Sequence, residues 1–145
     1  MKEKALIAIL LLFSVSVFAQ SSPADVQASH IEANVPARES FEAFLRRDLL
    51  AYFHAPGTGS LEYKLLRDGP TQSGVAYPKY YLWVTVRSGS SLLNEGAVRV
   101  AAIGRKRFEV TNFLSRGTIR ATPSEVGVVF PAALVPSVLS LAGVK

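Results

Sequence analysis

The sequence of 145 residues contains no cysteine, one methionine, one tryptophan and two histidines. The absence of cysteine excludes disulfide scaffolds, thiolate metal sites, cysteine nucleophiles and thiol redox chemistry. A domain of this size buries enough apolar surface to be stable without such links. We therefore expect one folded domain that is held together by its hydrophobic core.

Signatures of catalysis are also scarce. The chain has no Gly-Lys-Ser/Thr phosphate loop, no His-Glu-x-x-His helix and no Gly-x-Ser-x-Gly nucleophile turn. Its carboxylates are scattered, and His30 and His54 stand far apart. His54 is predicted at the end of a helix, where the helix dipole favours a cation. We expect no catalytic activity, cofactor or metal; the alternative is an acid–base pair of Asp48 with a tyrosine.

Apolar residues are abundant, at 49% of the chain, and the first group of them lies at the N-terminus. Two lysines precede an apolar run over residues 5–13, and Val17 and Ala19 occupy the small-residue positions of a signal-peptidase site. The run is short against the ~20 residues that span a bilayer. We predict that residues 1–19 are a signal peptide and that the protein is exported, periplasmic or secreted, with no transmembrane anchor after cleavage.

The remaining chain divides into a leader and one domain. Residues 20–35 are polar and weakly patterned, which predicts a mobile leader, and residues 36–145 are predicted to form a single domain. Its first helix is predicted to start with Pro36 as the first helical residue and to end at the Pro-Gly-Thr-Gly run of residues 56–59. Its apolar positions recur at three- and four-residue steps: Phe41, Phe44, Leu45, Leu49, Tyr52 and Phe53.

Four strands are predicted next, over residues 61–65, 80–87, 97–103 and 108–114, from alternation and from β-branched and aromatic residues. The short link at residues 104–107 predicts a hairpin. Pro78 predicts an edge position or a bulge at the start of the second strand.

Alternation also predicts two sheet faces. The face toward the first helix carries Tyr80, Leu82, Val84, Val86, Val98, Val100, Phe108, Val110 and Leu114. The opposite face carries Tyr81, Trp83, Thr85, Arg87, Arg99, Ala101, Ile103, Thr111 and Phe113. Because this second face is largely apolar, we expect either the C-terminal tail or a partner to cover it.

The C-terminal tail is predicted to be mostly helical. Thr122 to Glu125 have the form of a capping box, and a short final helix is predicted through Leu141 with Gly143 as its stop. Residues 127–130 fit either a strand or a helix.

This order predicts an α+β fold: an N-terminal helix packed on a curled antiparallel four-stranded sheet, with a short C-terminal helical tail. Over about residues 36–115 it resembles the cystatin-like and NTF2-like cone folds, and residues 77–86 resemble the central strand of cystatins. The cystatin inhibitory loop is matched only in part by Gln-Ser-Gly-Val-Ala at residues 72–76, and the Pro-Trp pair of its second hairpin is absent. The NTF2-like resemblance implies a pocket between helix and sheet.

Charge provides the candidate site. The chain has 16 Lys and Arg against 11 Asp and Glu, and the excess is concentrated in residues 96–121. That segment has only one acidic residue, Glu109, against six cations: Arg99, Arg105, Lys106, Arg107, Arg116 and Arg120. The Arg-Lys-Arg run at residues 105–107 fits either a charged hairpin tip that protects a sheet edge or a contact to an anion.

These observations favour an exported, small, non-catalytic binding or accessory module. Its partner would be an anionic surface or an acidic protein, with no nucleic acid expected, and the mixed sheet face could form a homodimer. The predicted contact residues are Trp83, Arg99, Arg105, Lys106, Arg107 and Phe113. The alternatives are an NTF2-like small-ligand protein or enzyme and a cystatin-like protease inhibitor.

Overall fold

A computed structural model describes residues 21–145, so the predicted signal peptide lies outside the described residues. Within this range a four-stranded antiparallel sheet has helices on both of its faces, which confirms the α+β class. The elements are α1 (Pro23–Asn34), α2 (Arg38–Tyr52), β1 (Gly59–Leu65), β2 (Lys79–Ser88), β3 (Ser91–Ile103), β4 (Arg107–Ser115), α3 (Arg116–Ala121), α4 (Glu125–Val129), a 3-10 turn (Ala132–Leu134) and α5 (Val135–Ala142).

The strands form a meander in the order β1-β2-β3-β4, with β1 and β4 at the edges. The prediction of an edge or bulge at Pro78 is wrong, because β2 pairs with β1 on one side and β3 on the other. Pro78 lies just before the strand, where its missing N–H costs no ladder hydrogen bond. Its carbonyl accepts a hydrogen bond from the N–H of Ala102 at 2.8 Å.

Helix α2 packs on one sheet face and forms the first core. Leu45 and Leu49 are fully buried there, and the ring of Phe41 meets those of Tyr80 and Phe108 edge-on at 5.0 and 4.9 Å. The space between α2 and the sheet is therefore filled by side chains. The sheet contributes Leu61, Tyr80, Leu82, Val84, Val86, Val98, Val100, Ala102 and Phe108.

A bulge in β4 reverses two face assignments. Val110 pairs with Val100 and Asn112 with Arg99, which leaves Thr111 as an extra residue. One extra residue moves every later side chain to the other face. The predicted faces of Phe113 and Leu114 are therefore wrong: the ring of Phe113 packs 4.8 Å from that of Phe53 in the first core, and Leu114 joins the second.

The second core lies on the opposite face, under the C-terminal helices. Tyr81, Trp83 and Ala97 pack there, and Trp83 is only 7% exposed. Of the two covers that the sequence allowed, the chain's own tail is the one present. The tail contributes Ile119, Val126, Phe130, Leu134, Val138 and Ala142.

The tail is helical, but its caps differ from those predicted. Thr122 does not cap α4, whose N-cap is Ser124 with no side-chain hydrogen bond. Thr122 instead ends α3, where its N–H donates to the carbonyl of Thr118 at 2.8 Å. Helix α3 was not predicted; it begins directly after β4, where the hydroxyl of Ser115 accepts the N–H of Thr118 at 3.0 Å. Residues 127–129 are helical, and α5 ends at Gly143 with φ +79°, as predicted.

The segment before α2 contains a helix that the sequence analysis did not predict. Helix α1 begins with a capping box in which Ser22 and Asp25 each accept the other's backbone N–H, at 3.1 and 3.0 Å. The Ser22 hydroxyl, which also donates to the Asp25 carboxylate at 2.7 Å, and the Ser22 N–H lower the pKa of Asp25. Most of α1 is exposed, but its last residue, Asn34, is buried.

Candidate anion-binding hairpin

Three of the six cations in residues 96–121 hold the C-terminal layer in place. Arg99 extends from the sheet and donates to the hydroxyl of Thr111 at 2.9 Å, to the side chain of Asn112, and to the carbonyl of Val129 at 3.1 Å. That carbonyl belongs to the last residue of α4, where a cation is favoured. Arg99, predicted as a contact residue, is thus an anchor between the sheet and α4.

Arg116 and Arg120 fix the end of α5 in the same way. Their Nε groups donate to the carbonyl of Ala142 at 3.3 and 2.6 Å. Arg116 also pairs with Glu95 at 3.0 Å. The positive charge that the sequence places on one segment is therefore divided, and only Arg105, Lys106 and Arg107 remain for a partner.

These three residues lie in the β3–β4 hairpin, whose tip we define as residues 104–107. The predicted hairpin is confirmed: Ile103 pairs with Arg107, and the N–H of Lys106 donates to the carbonyl of Ile103 at 3.3 Å. Gly104 and Arg105 have φ of +58° and +62°, as in the type I′ turns that suit hairpins. All four residues of the hairpin tip are exposed.

Helix α1 holds one side of the hairpin tip through Asn34. The Asn34 side-chain oxygen accepts the N–H of Gly104 at 3.2 Å, and its backbone carbonyl accepts the N–H of Arg105 at 2.7 Å. The side-chain nitrogen of Asn34 donates to the carbonyl of His30 at 2.9 Å. Asn34 therefore joins the end of α1 to the turn by two bonds.

Helix α2 holds the other side. A carboxylate oxygen of Asp48 accepts the N–H of Phe108 at 2.6 Å, and Nη2 of Arg47 donates to the carbonyl of Lys106 at 2.8 Å. Arg47 and Asp48 also form an ion pair at 2.8 Å, and this hydrogen bond raises the pKa of Arg47. The backbone of the hairpin tip is thus fixed from two helices while its cationic side chains face solvent.

Within residues 21–145, Glu109 is the acidic side chain that pairs with a cation of the hairpin tip. Glu109 lies 3.8 Å from the guanidinium of Arg107, and both side chains are 61% exposed. Exposed pairs of this kind contribute little to stability, because water and salt screen them. An anionic partner can therefore displace Glu109 from Arg107 at small cost.

The other predicted site residues do not join this hairpin. Trp83 lies in the second core and Phe113 in the first, so the sheet separates them. Asp48 is engaged with Arg47 and Phe108, and His54 is exposed at the end of α2. The alternative acid–base pair built on Asp48 therefore lacks a free carboxylate.

Sequence reasoning missed Asn34 and Arg47 as parts of the site, and it gave Asp48 a different role. Asn34 and Asp48 lie 70 and 60 positions from their partners in the hairpin. No local pattern signals such contacts, because they depend on how α1 and α2 lie against the sheet.

A cleft of about 560 Å³ lies elsewhere, between α1 and the loop before β2. Its walls include His30, Gln72, Val26 and Val75, and the two valines are 59% and 94% exposed. The cleft is therefore open to water, and among the described residues that line it His30 is the one titratable group. It does not assemble an acid–base pair.

No protein-family model matches this chain, and neither a curated protein nor a solved structure is significantly similar to it. Among the helices of residues 21–145, none combines the length and apolar character needed to cross a bilayer. The same part of the chain has no group of three acidic or histidine side chains that could hold a metal. Function must therefore be inferred from the geometry of the hairpin tip.

Proposed function

We propose that this protein is an exported, non-catalytic binding module that attaches to an anionic partner through the hairpin tip. Guanidinium and ammonium groups match the oxygens of phosphate, sulfate and carboxylate. Because the backbone beneath Arg105, Lys106 and Arg107 is already fixed, binding does not have to order the loop, which lowers its entropic cost. The N-terminal signal pattern supports the export part of the proposal.

The observation that carries this proposal is the backbone conformation of Arg105. Its φ of +62° is in the left-handed region, where a side chain costs about 1–2 kcal/mol relative to glycine. Glycine is also the favoured residue at this turn position. Within the described residues the Arg105 side chain makes no hydrogen bond or ion pair that would offset the cost. The turn needs this backbone conformation but not an arginine side chain, and strained backbone positions of this kind are concentrated at functional sites.

The matching test replaces Arg105 by glycine. We expect Arg105→Gly to weaken binding to an anionic polymer such as heparin about fivefold at low salt, since each cation near an anionic surface contributes about 1 kcal/mol. The melting temperature should stay the same or rise, because the turn strain is relieved. Binding can be measured by calorimetry and unfolding by circular dichroism.

The matched control is Arg87→Gln, which removes the same charge from β2. Arg87 lies eight residues along β2 from Lys79, which pairs near the hairpin end of β3, so it is roughly 26 Å from that end. This variant should bind like the original protein. Equal losses in both variants would mean that only net charge matters, and an unchanged Arg105→Gly variant would refute the proposal.

The two alternative functions have less support. A small-ligand protein needs a pocket between helix and sheet, where Leu45 and Leu49 are fully buried. The protease-inhibitor alternative depends on the loop at residues 72–76, which matches the cystatin motif only in part. A homodimer through the Trp83 face would have to displace the tail that covers it.

A further inference from the structure

We infer that the partner of the hairpin tip is a linear polyanion, a polymer along which anionic groups repeat, and not a single small anion. This inference rests on the proposed function and adds the class of ligand. It follows from which groups of the hairpin tip are free to bind and how they are arranged.

Backbone N–H groups are the first consideration. Sites for a single phosphate or sulfate are typically built from several convergent N–H groups in a turn or at a helix start. Three of the four N–H groups of the hairpin tip, and that of the adjoining Phe108, already have acceptors in the protein. The N–H groups of Gly104 and Arg105 donate to Asn34, that of Lys106 to Ile103, and that of Phe108 to Asp48. A small anion would find no such cradle here.

The cationic side chains are the second consideration. Arg105, Lys106 and Arg107 are consecutive and exposed, so their three cationic groups are carried by three successive backbone positions of the hairpin tip. Arg47 adds a fourth cation, 54% exposed and held against the carbonyl of Lys106. Cations spread in this way contact separate groups of a chain more easily than the oxygens of one ion.

Apolar surface is the third consideration, and it argues against a membrane. Peripheral attachment to a bilayer combines cations with apolar side chains that enter the interface. Next to the hairpin tip, Ile103 is half-buried and Phe108 is buried. The exposed Leu92 and Leu93 lie at the other end of β3. A hydrated polymer therefore fits this end of the molecule better than a lipid surface.

Salt dependence tests the inference with two probes, heparin for sulfate and long-chain polyphosphate for phosphate. For a single-stranded polyanion the slope of log K against log salt is about −0.7 per neutralised charge, so the three cations of the hairpin tip and Arg47 together give about −3. Lys106→Gln and Arg107→Gln should each reduce the slope by about 0.7, and Arg87→Gln should leave it unchanged. Inorganic phosphate and sulfate should bind at least ~100-fold more weakly, because they make one contact at a time.

The outcomes separate this inference from the proposed function. If inorganic phosphate or sulfate binds as tightly as the polymers, and Arg105→Gly removes that binding, the polyanion inference is wrong and the proposed function stands. Binding to phosphatidylserine vesicles with neither polymer bound would also overturn the inference, in favour of a membrane. If no anionic probe binds, the proposed function fails as well. A preference between heparin and polyphosphate identifies the anionic group.

Discussion

His54, like Arg105, is a non-glycine residue that adopts a left-handed backbone conformation. Its φ is +50°, and it follows the last turn of α2. The N–H of His54 donates to the carbonyl of Ala51 at 3.1 Å, and that of Ala55 donates to Leu50 at 3.0 Å. This pair of bonds is a Schellman motif, whose left-handed residue is usually glycine. The strain at His54 therefore belongs to the helix stop.

Replacing His54 by glycine should stabilise the protein. Relief of the left-handed conformation gains about 1–2 kcal/mol, of which the greater freedom of glycine in the unfolded chain removes part. We expect a net gain of about 0.5–1 kcal/mol in the free energy of unfolding, measured by urea denaturation. His54→Ala keeps the Cβ atom and should give no such gain. A loss of stability in His54→Gly would show that the imidazole contributes more than its strained backbone costs.

At the scale of the element, three consecutive residues of α2 form hydrogen bonds to the backbone at both edges of the sheet. Arg46 donates to the carbonyl of Leu61 on β1, while Arg47 and Asp48 bind the backbone around the start of β4. Edge strands present unpaired backbone groups, which invite pairing with other chains. The helix thus packs its apolar face on the sheet and satisfies edge groups with the adjoining polar residues.

Of these contacts, that of Asp48 can be tested most directly, because its removal leaves the backbone N–H of Phe108 without an acceptor. Asp48→Ala should cost about 1–3 kcal/mol, because the N–H of Phe108 is then partly buried and unpaired. Asp48→Asn keeps an oxygen acceptor and should cost less. Hydrogen exchange at the Phe108 amide should be faster in Asp48→Ala than in Asp48→Asn. Equal exchange rates in the two variants would mean that the carboxylate does not protect this amide.

Elements with a local signal could be predicted from the sequence. The residues of β2 and β3 that face α2 follow from an alternation with a period of two. The apolar positions of α2 follow from spacings of three and four residues. Gly143 as the stop of α5 follows from its backbone freedom. Ser22 and Asp25 also carry a local capping signal, so α1 could have been predicted from it.

Features set by packing could not be predicted. Nothing in the sequence from Val110 to Leu114 marks Thr111 as a bulge. Uninterrupted alternation therefore places Leu114 on the face toward α2, although it lies in the second core. For the candidate site, the Arg-Lys-Arg turn was visible in the sequence. The assignment of Arg99, Arg116 and Arg120 to helix ends was not, because it depends on where α4 and α5 come to lie.

At the scale of the whole molecule, the two central strands, β2 and β3, contribute residues to both cores. Along β2, Leu82 and Val84 face α2, whereas Tyr81 and Trp83 face the C-terminal helices. Loss of either layer exposes the apolar residues on one face of β2 to water and so removes half of the packing that holds this strand. We therefore expect the described domain to unfold in one cooperative transition.

Two core substitutions, one on each face, test this cooperativity. Leu49 and Val138 are both fully buried, in the first and second core respectively. Leu49→Ala should cost about 2–5 kcal/mol, and Val138→Ala about 1–3 kcal/mol because fewer buried atoms are removed.

Trp83, the chain's one tryptophan, reports on the second core, and far-ultraviolet circular dichroism reports on the whole sheet. In both variants the two signals should follow the same urea curve, since β2 carries both cores. If Val138→Ala exposes Trp83 at a urea concentration where the circular dichroism is still native, the C-terminal helices detach independently and the sheet is stable without them.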